Sequence, residues 1–70
     1  MNYQKIYDQL IEKRQQIPLK HIGNGEIETH HIIPKSFGGS DNEDNLINLT
    51  LREHYVAHLL LLEIAKQKHD

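Results

Sequence analysis

The chain contains no cysteine among its 70 residues, which excludes both a disulfide and a zinc site built on thiolates. A chain this short buries little apolar surface, and domains of this size are commonly stabilised by a disulfide, a metal or a partner chain. Histidine is then the nitrogen ligand that remains for a transition metal. The lack of cysteine also fits a reducing cytoplasm, where we expect the protein to act.

Long apolar stretches are lacking too. The longest run, Val56–Leu62, is interrupted by His58 and is far too short to span a bilayer. No apolar core of the signal-peptide type follows the N-terminus. We therefore expect no association with a membrane. The length of the chain predicts a single domain over residues 1–70.

Positive charge is scarce. Eight lysine and arginine residues against ten acidic residues give a formal net charge of −2 with histidine neutral. Binding to a nucleic-acid backbone depends on lysine and arginine. Any affinity of these residues alone for nucleic acid should therefore be modest and sensitive to salt.

The two ends of the chain have the patterns of helices. In residues 1–17 apolar side chains, Tyr7 among them, recur at intervals of three and one. Asn2 is the predicted N-cap of this first helix, and Pro18 stops it. Thr50-Leu51-Arg52-Glu53 is a capping box, which should begin a second helix that runs to about Lys66. This helix is apolar on most sides, so we expect it to be buried against the first helix or a second subunit.

Between the helices the sequence predicts two strands. Residues 26–33 contain several β-branched residues and end at Pro34, and Leu46–Leu49 forms a shorter second strand. A turn at Gly23-Asn24-Gly25 precedes the first strand. The connection over residues 35–45 is long for a hairpin, and long ordered loops are commonly functional. The prediction is an α+β domain with its core unit over residues 26–66.

Four of the six histidines lie in the predicted strand and final helix. His54 and His58 are four residues apart on a helix, so their imidazoles point the same way and can share one metal. His30 lies on the strand expected to pack beside that helix. Three protein ligands with an open position are typical of a catalytic metal site. The other histidines, His21 and His69, are expected to be inert surface residues.

His30 and His31 are neighbours on a strand, where adjacent side chains point to opposite faces. One hypothesis is a division of labour, in which one imidazole binds metal and the other stays free as a base near neutral pH. The alternative is a pair of half-buried histidines that form hydrogen bonds with the backbone. From the residues alone, the two interpretations stand equal.

Several short motifs follow one another in a set order. They are Glu-x-His-His-Ile-Ile-Pro-Lys from Glu28, Gly-Gly-Ser from Gly38, Asn-Leu from Asn45, and Arg-Glu-His-x-x-x-His from Arg52. In order and spacing they resemble the His-Asn-His (HNH) endonuclease family, especially small phage and homing-type members with a metal site like that of colicin nucleases. The resemblance covers Glu28 to about Leu62. It implies the ββα-metal fold, a β-hairpin plus a helix around one metal ion, preceded here by the N-terminal helix.

The resemblance also implies a role for each motif residue. His31 matches the general base that activates water, and Asn45 matches the asparagine that holds the loop and the base in position. Glu28 resembles an acidic residue found near the base in some members. The residues that match metal ligands are His30, His54 and His58.

The implied activity is hydrolysis of DNA phosphodiester bonds, with one divalent metal stabilising the phosphate and the leaving 3′ oxygen. Arg52 and Lys35 lie beside the motif residues and are expected to contact phosphates. Three imidazoles favour zinc, nickel, copper or cobalt over magnesium. Zinc is therefore the expected bound ion, while magnesium, manganese, nickel or cobalt could support turnover.

No element that reads a DNA groove is evident, so targeting should need a homodimer or an additional DNA-targeting domain or protein. The predicted contact surface lies around Leu59, Leu60 and Ile64. The resemblance implies the cytoplasm of a bacterial or phage-infected cell. The alternative function is a zinc-stabilised interaction module that does not cut, and His31 separates the two because a structural site has no use for a free base.

Overall fold

The computed structural model of the chain describes residues 1–20 and 26–68. Helix α1 (Tyr3–Gln16) is followed by strand β1 (Ile27–His31), strand β2 (Leu46–Thr50) and helix α2 (Leu51–Lys68). The loop between the strands contains 3₁₀ turns at Lys35–Phe37 and Glu43–Asn45. The order and type of the elements confirm the predicted α+β, ββα-like fold. The predictions made for the turn at residues 23–25, for His21 and for His69 lie outside the described residues.

Helix α1 begins and ends as the sequence predicts. The Asn2 side chain accepts a hydrogen bond of 3.0 Å from the Lys5 N–H, which is the usual role of an N-cap. The helix ends at Gln16, just before Pro18. Its apolar stripe places Tyr7 and Ile11 in the core.

Strands β1 and β2 pair as an antiparallel hairpin, in which His30 lies opposite Ile47 and His31 opposite Leu46. Strand β1 is shorter than the predicted range 26–33. The Asn45 carbonyl still accepts from the Ile32 N–H in register with the ladder, but the next N–H, that of Ile33, donates to the Asn45 side chain instead of to a backbone carbonyl. His30 is buried whereas His31 is half-buried, in keeping with the alternation of side chains along a strand.

Helix α2 begins at the predicted capping box. The Thr50 hydroxyl accepts from the Glu53 N–H, and the Glu53 carboxylate accepts from the Thr50 N–H, each at 3.1 Å. The helix continues to Lys68, two residues beyond the predicted end, and its last turn carries Lys66 and Lys68. Positive charge at a helix C-terminus is favourable. No helix within the described ranges has the length and apolar character to cross a membrane.

The core lies between the two helices and one face of the hairpin, and it consists of Tyr7, Ile11, Leu49, Ala57 and Ile64. This corrects the predicted contact surface. Ile64 is 4% exposed and Leu60 packs against the core, whereas Leu59 is 46% exposed. The reason is helical geometry, because Ile64 follows buried Ala57 by seven residues, or two turns, and so shares its inward face. Helix α2 is therefore buried along one stripe and not on most sides.

Arg14 of α1 and Glu53 of α2 form a partly buried ion pair that joins the two helices. The Arg14 Nε lies 2.8 and 2.9 Å from the two carboxylate oxygens of Glu53, and both side chains are largely buried, at 13% and 15% exposed. Burial alone would raise the pKa of Glu53, but hydrogen bonds from Arg14 and from the Thr50 backbone lower it overall. The same carboxylate caps α2, so Arg14 helps to fix the start of that helix.

We expect Arg14→Met to lower the free energy of unfolding by about 3 kcal/mol, because Glu53 would stay largely buried without its charged partner. Lys13→Met is the matched control: Lys13 lies 4.0 Å from Glu53 and is 59% exposed, and such surface pairs contribute about 0–1 kcal/mol. Urea unfolding measures both changes. Equal losses in the two variants would count against a special role for Arg14.

Candidate metal centre and active site

Three histidines from two elements converge beside the hairpin. His30 comes from β1, while His54 and His58 come from successive turns of α2. One ligand nitrogen from each lies within 4.8 Å of the others, and the Nε2 atoms of His54 and His58 are 3.0 Å apart. The ring centroid of His30 lies 5.1 Å from that of His54 and 5.5 Å from that of His58. The three residues predicted as metal ligands thus lie together.

The protonation of His30 and the hydrogen bond of His54 both suit a cation. Burial, followed by the charges of His54, His58 and His31, lowers the pKa of His30 to about 4, so its imidazole is neutral at neutral pH. His54 Nδ1 lies 3.0 Å from a carboxylate oxygen of Glu28; because a carboxylate accepts, Nδ1 donates and the lone pair stays on Nε2. Histidine ligands are commonly held by a carboxylate in this way. The donor set fits one divalent ion such as zinc.

Tyr7 of α1 contacts the cluster from the core side. Its hydroxyl lies 2.7 Å from His30 Nε2 and 2.6 Å from the Ile32 carbonyl oxygen. Burial, and to a smaller extent the charge of Asp8, raises the pKa of Tyr7 to about 12, so the hydroxyl keeps its proton. The sequence pattern indicated Tyr7 only as part of an apolar stripe, and helical spacing carries no signal for the partner of a hydroxyl.

His31 is turned towards the loop and not towards the cluster. Its Nε2 lies 2.8 Å from Asp41 Oδ1, and Asp41 also pairs with Lys35 Nζ at 2.8 Å. These hydrogen bonds, Lys35 first and then His31, lower the pKa of Asp41. Because the carboxylate accepts, His31 Nε2 donates and the lone pair is on Nδ1. The sequence pattern gave no role to Asp41, which lies within the long connection over residues 35–45.

Asn45 fastens this loop to the end of β1. It is buried, its Nδ2 donates to the carbonyl oxygens of Ile33 and Ser40 at 3.0 and 2.7 Å, and its Oδ1 accepts from the Ile33 N–H at 2.8 Å. A Cβ at Gly39 would overlap the Ile33 carbonyl. The close approach of the two backbone segments at this point therefore requires glycine. The asparagine and the glycine together set the position of the loop beside His31.

The remaining predicted site residues are Glu28, Lys35 and Arg52, and the structure places each of them differently. Glu28 forms its hydrogen bond with His54 and not with His31. Lys35 lines the same cavity as the histidine cluster. Arg52 lines a separate shallow depression together with Thr50 and Leu51. The structure therefore brings Lys35, but not Arg52, to the cavity in front of the cluster.

This cavity has a volume of about 630 Å³ and lies between the strand, the loop and α2. Its lining includes all four of these histidines together with apolar residues such as Phe37 and Leu62. His31 and the cluster thus line one space. A group bound there can contact both.

The fold and the site together define a small ββα protein, in which a hairpin and a helix present three clustered histidines and a fourth histidine lies apart from them in the same cavity. A family profile described as HNH endonuclease matches residues 16–54, more than half of the chain. The chain belongs to the HNH endonuclease family, as the motifs predicted. The matched range includes His30, His31, Asn45 and His54, and it ends before His58.

Three similar proteins come from Enterobacteria phage T4. The chain is 52% identical over 65 residues to the probable mobile endonuclease E, covering 91% of this chain and 43% of that protein. It is 51% identical over 65 residues to the probable mobile endonuclease D, and 49% identical over 70 residues to the probable mobile endonuclease B, covering 91% of this chain and 25% of each relative. The chain thus spans less than half the length of these curated relatives. No solved structure matches it.

Proposed function

We propose that this chain is the catalytic unit of a metal-dependent endonuclease that hydrolyses phosphodiester bonds in DNA. Membership of the HNH endonuclease family and the relatives named as mobile endonucleases support the class of reaction. The observation that carries the proposal is the placement of His31, which faces the same cavity as the histidine cluster but forms its hydrogen bond with Asp41. A purely structural metal site has no need of such a neighbour.

In this proposal His30, His54 and His58 hold one divalent ion, and Glu28 orients His54 through its hydrogen bond. When bound, such an ion supplies charge stabilisation to the scissile phosphate and the leaving 3′ oxygen. The three imidazoles favour zinc as the resident ion. Magnesium, manganese, nickel and cobalt are the further candidates for turnover.

His31 is the proposed general base. Asp41 accepts the Nε2 proton, so the lone pair of Nδ1 is the one that can take a proton from water. The positive charge that His31 then gains is stabilised by the Asp41 carboxylate, as an acidic residue does for the histidine of a catalytic triad. Asn45 holds the loop that carries Asp41, through its bonds to Ser40 and Ile33.

Cations near the site are the proposed phosphate contacts. Lys35 lines the cavity, so its ammonium can contact the scissile region, whereas Arg52 lies in a separate depression and would reach a flanking phosphate. With a net charge of −2, this chain should bind DNA weakly by itself, and added salt should weaken the binding further. Targeting is then the task of a second copy or of an additional domain or protein. The greater length of the relatives favours an additional domain.

The relatives are phage proteins, so the proposed place of action is the cytoplasm of an infected host cell. Nicking of a supercoiled plasmid at low salt tests the activity, with magnesium, manganese, nickel, cobalt or zinc added singly and EDTA as the control. We expect relaxed plasmid with at least one metal and none with EDTA. If the chain binds zinc but nicks with no metal, the zinc-stabilised interaction module becomes the better description.

A further inference from the structure

Tyr7 occupies an unusual place for a core residue. Its ring packs with Ile11 and Leu49 in the centre of the protein, yet its hydroxyl lies between a metal-ligand candidate and a backbone carbonyl. The two distances, 2.7 Å to His30 Nε2 and 2.6 Å to the Ile32 oxygen, are both those of hydrogen bonds. The hydroxyl therefore joins helix α1 to the histidine cluster.

Counting protons fixes the direction of both bonds. A tyrosine hydroxyl has one hydrogen to donate, and a carbonyl oxygen can only accept. The hydrogen of Tyr7 therefore goes to Ile32. The contact with His30 is then a hydrogen bond only if His30 Nε2 carries a proton and donates it. In a neutral imidazole the lone pair is then on Nδ1.

We propose that Tyr7 is a positioning residue of the metal centre, which holds His30 in the Nε2–H tautomer so that its Nδ1 is the atom offered to the ion. His54 has the opposite arrangement, because its Nδ1 donates to Glu28 and its Nε2 is left as the ligand atom. The strand histidine and the helix histidine thus present different nitrogens to one ion. The inference rests on the proposed metal-binding role of the cluster, but not on cleavage of DNA.

A further observation agrees with this role. The ring of His30 meets that of Tyr7 edge to face, with centroids 6.0 Å apart. The tyrosine therefore restrains the plane of the imidazole as well as its proton.

The variant that isolates the hydroxyl is Tyr7→Phe, which keeps the ring and removes one oxygen. Loss of a residue that orients a metal ligand typically weakens metal binding about 10- to 100-fold, and we expect a decrease in that range for cobalt(II) followed by its visible absorption. Tyr3→Phe is the matched control, since Tyr3 lies on the same helix and packs against the same core. Cobalt affinity that is unchanged in folded Tyr7→Phe would overturn the proposal.

A second measurement uses the unaltered chain and does not depend on the folding of a variant. Long-range ¹H–¹⁵N spectra report which ring nitrogen of each histidine carries the proton. In the metal-free chain we expect His30 to be the Nε2–H tautomer, and on addition of zinc we expect the His30 Nδ1 resonance to move as the ligand atom. An Nδ1–H tautomer, or zinc bound through Nε2, would overturn the proposal whether or not the chain cuts DNA.

Discussion

Replacement of His31 by alanine is expected to remove most of the cleavage and to leave metal binding intact. A positioned general base contributes about 10²- to 10⁴-fold to the rate, so single-turnover nicking by His31→Ala should be slower by a factor in that range. The reason is that His31 faces the cavity of the cluster while its hydrogen bond is with Asp41. Nothing in this arrangement makes it a ligand.

The cleavage rate and the metal affinity of His31→Ala are both measured on one preparation of the protein. Single-turnover plasmid nicking gives the rate, and a cobalt(II) titration gives the stoichiometry and affinity. Cleavage that is unaffected by His31→Ala would contradict its role as the base. Cobalt affinity that falls along with cleavage would instead make His31 part of the metal site.

His54→Ala should have the opposite profile, with metal binding lost first and cleavage lost as a consequence. His54 is one of three clustered imidazoles, and its removal leaves two. We expect the zinc affinity to fall by at least about 100-fold, since even a supporting residue typically accounts for 10- to 100-fold. His31→Ala is the matched control, because each variant removes one histidine from the same cavity.

The loss of zinc binding by His54→Ala should also reduce the increase in the free energy of unfolding that zinc produces. At free zinc of about 100 times the wild-type dissociation constant, binding raises the free energy of unfolding by about 2.7 kcal/mol. A 100-fold weaker site gains only about 0.4 kcal/mol at that concentration. Urea unfolding with and without zinc measures the difference for each protein. A zinc-dependent gain in His54→Ala equal to that of the wild type would show that the ion binds elsewhere.

The parts of the fold that were predictable from sequence are those governed by local signals. The capping box of Thr50 and Glu53 and the N-cap at Asn2 join residues three apart, so a short window contains the whole signal. The end of β1 was not predictable in this way. It depends on Asn45, which lies twelve residues from Ile33 along the chain and takes over its N–H group.

The candidate site likewise combines residues that a local pattern predicts with residues that only the folded chain brings together. The pair of His54 and His58 follows from helical spacing, and His30 was placed with them because its strand was expected beside that helix. Residues that support the site were missed, because the two groups of each contact are well apart in the chain. Tyr7 lies 23 residues from His30, and Asp41 lies 10 residues from His31. Such partners become visible only once the chain is folded.

Glu28 and Ile64 show what packing adds to a pattern in the sequence. The resemblance indicated an acidic residue near the base, and the structure adds that Glu28 lies on the same face of the strand as His30, where it forms a hydrogen bond with His54. Ile64 was assigned to an exposed surface because α2 is rich in apolar residues. Composition shows how apolar a helix is, whereas only packing against α1 shows which of its faces is covered.

The most direct test is a crystal structure of the chain grown with one equivalent of zinc, with anomalous differences measured at the zinc edge. We expect one anomalous peak, bonded to His30, His54 and His58, with His31 outside the coordination sphere and still paired with Asp41. The proposed centre and the reaction built on it would be contradicted if no ion were bound among the three imidazoles, or if His31 were among the ligands of the ion.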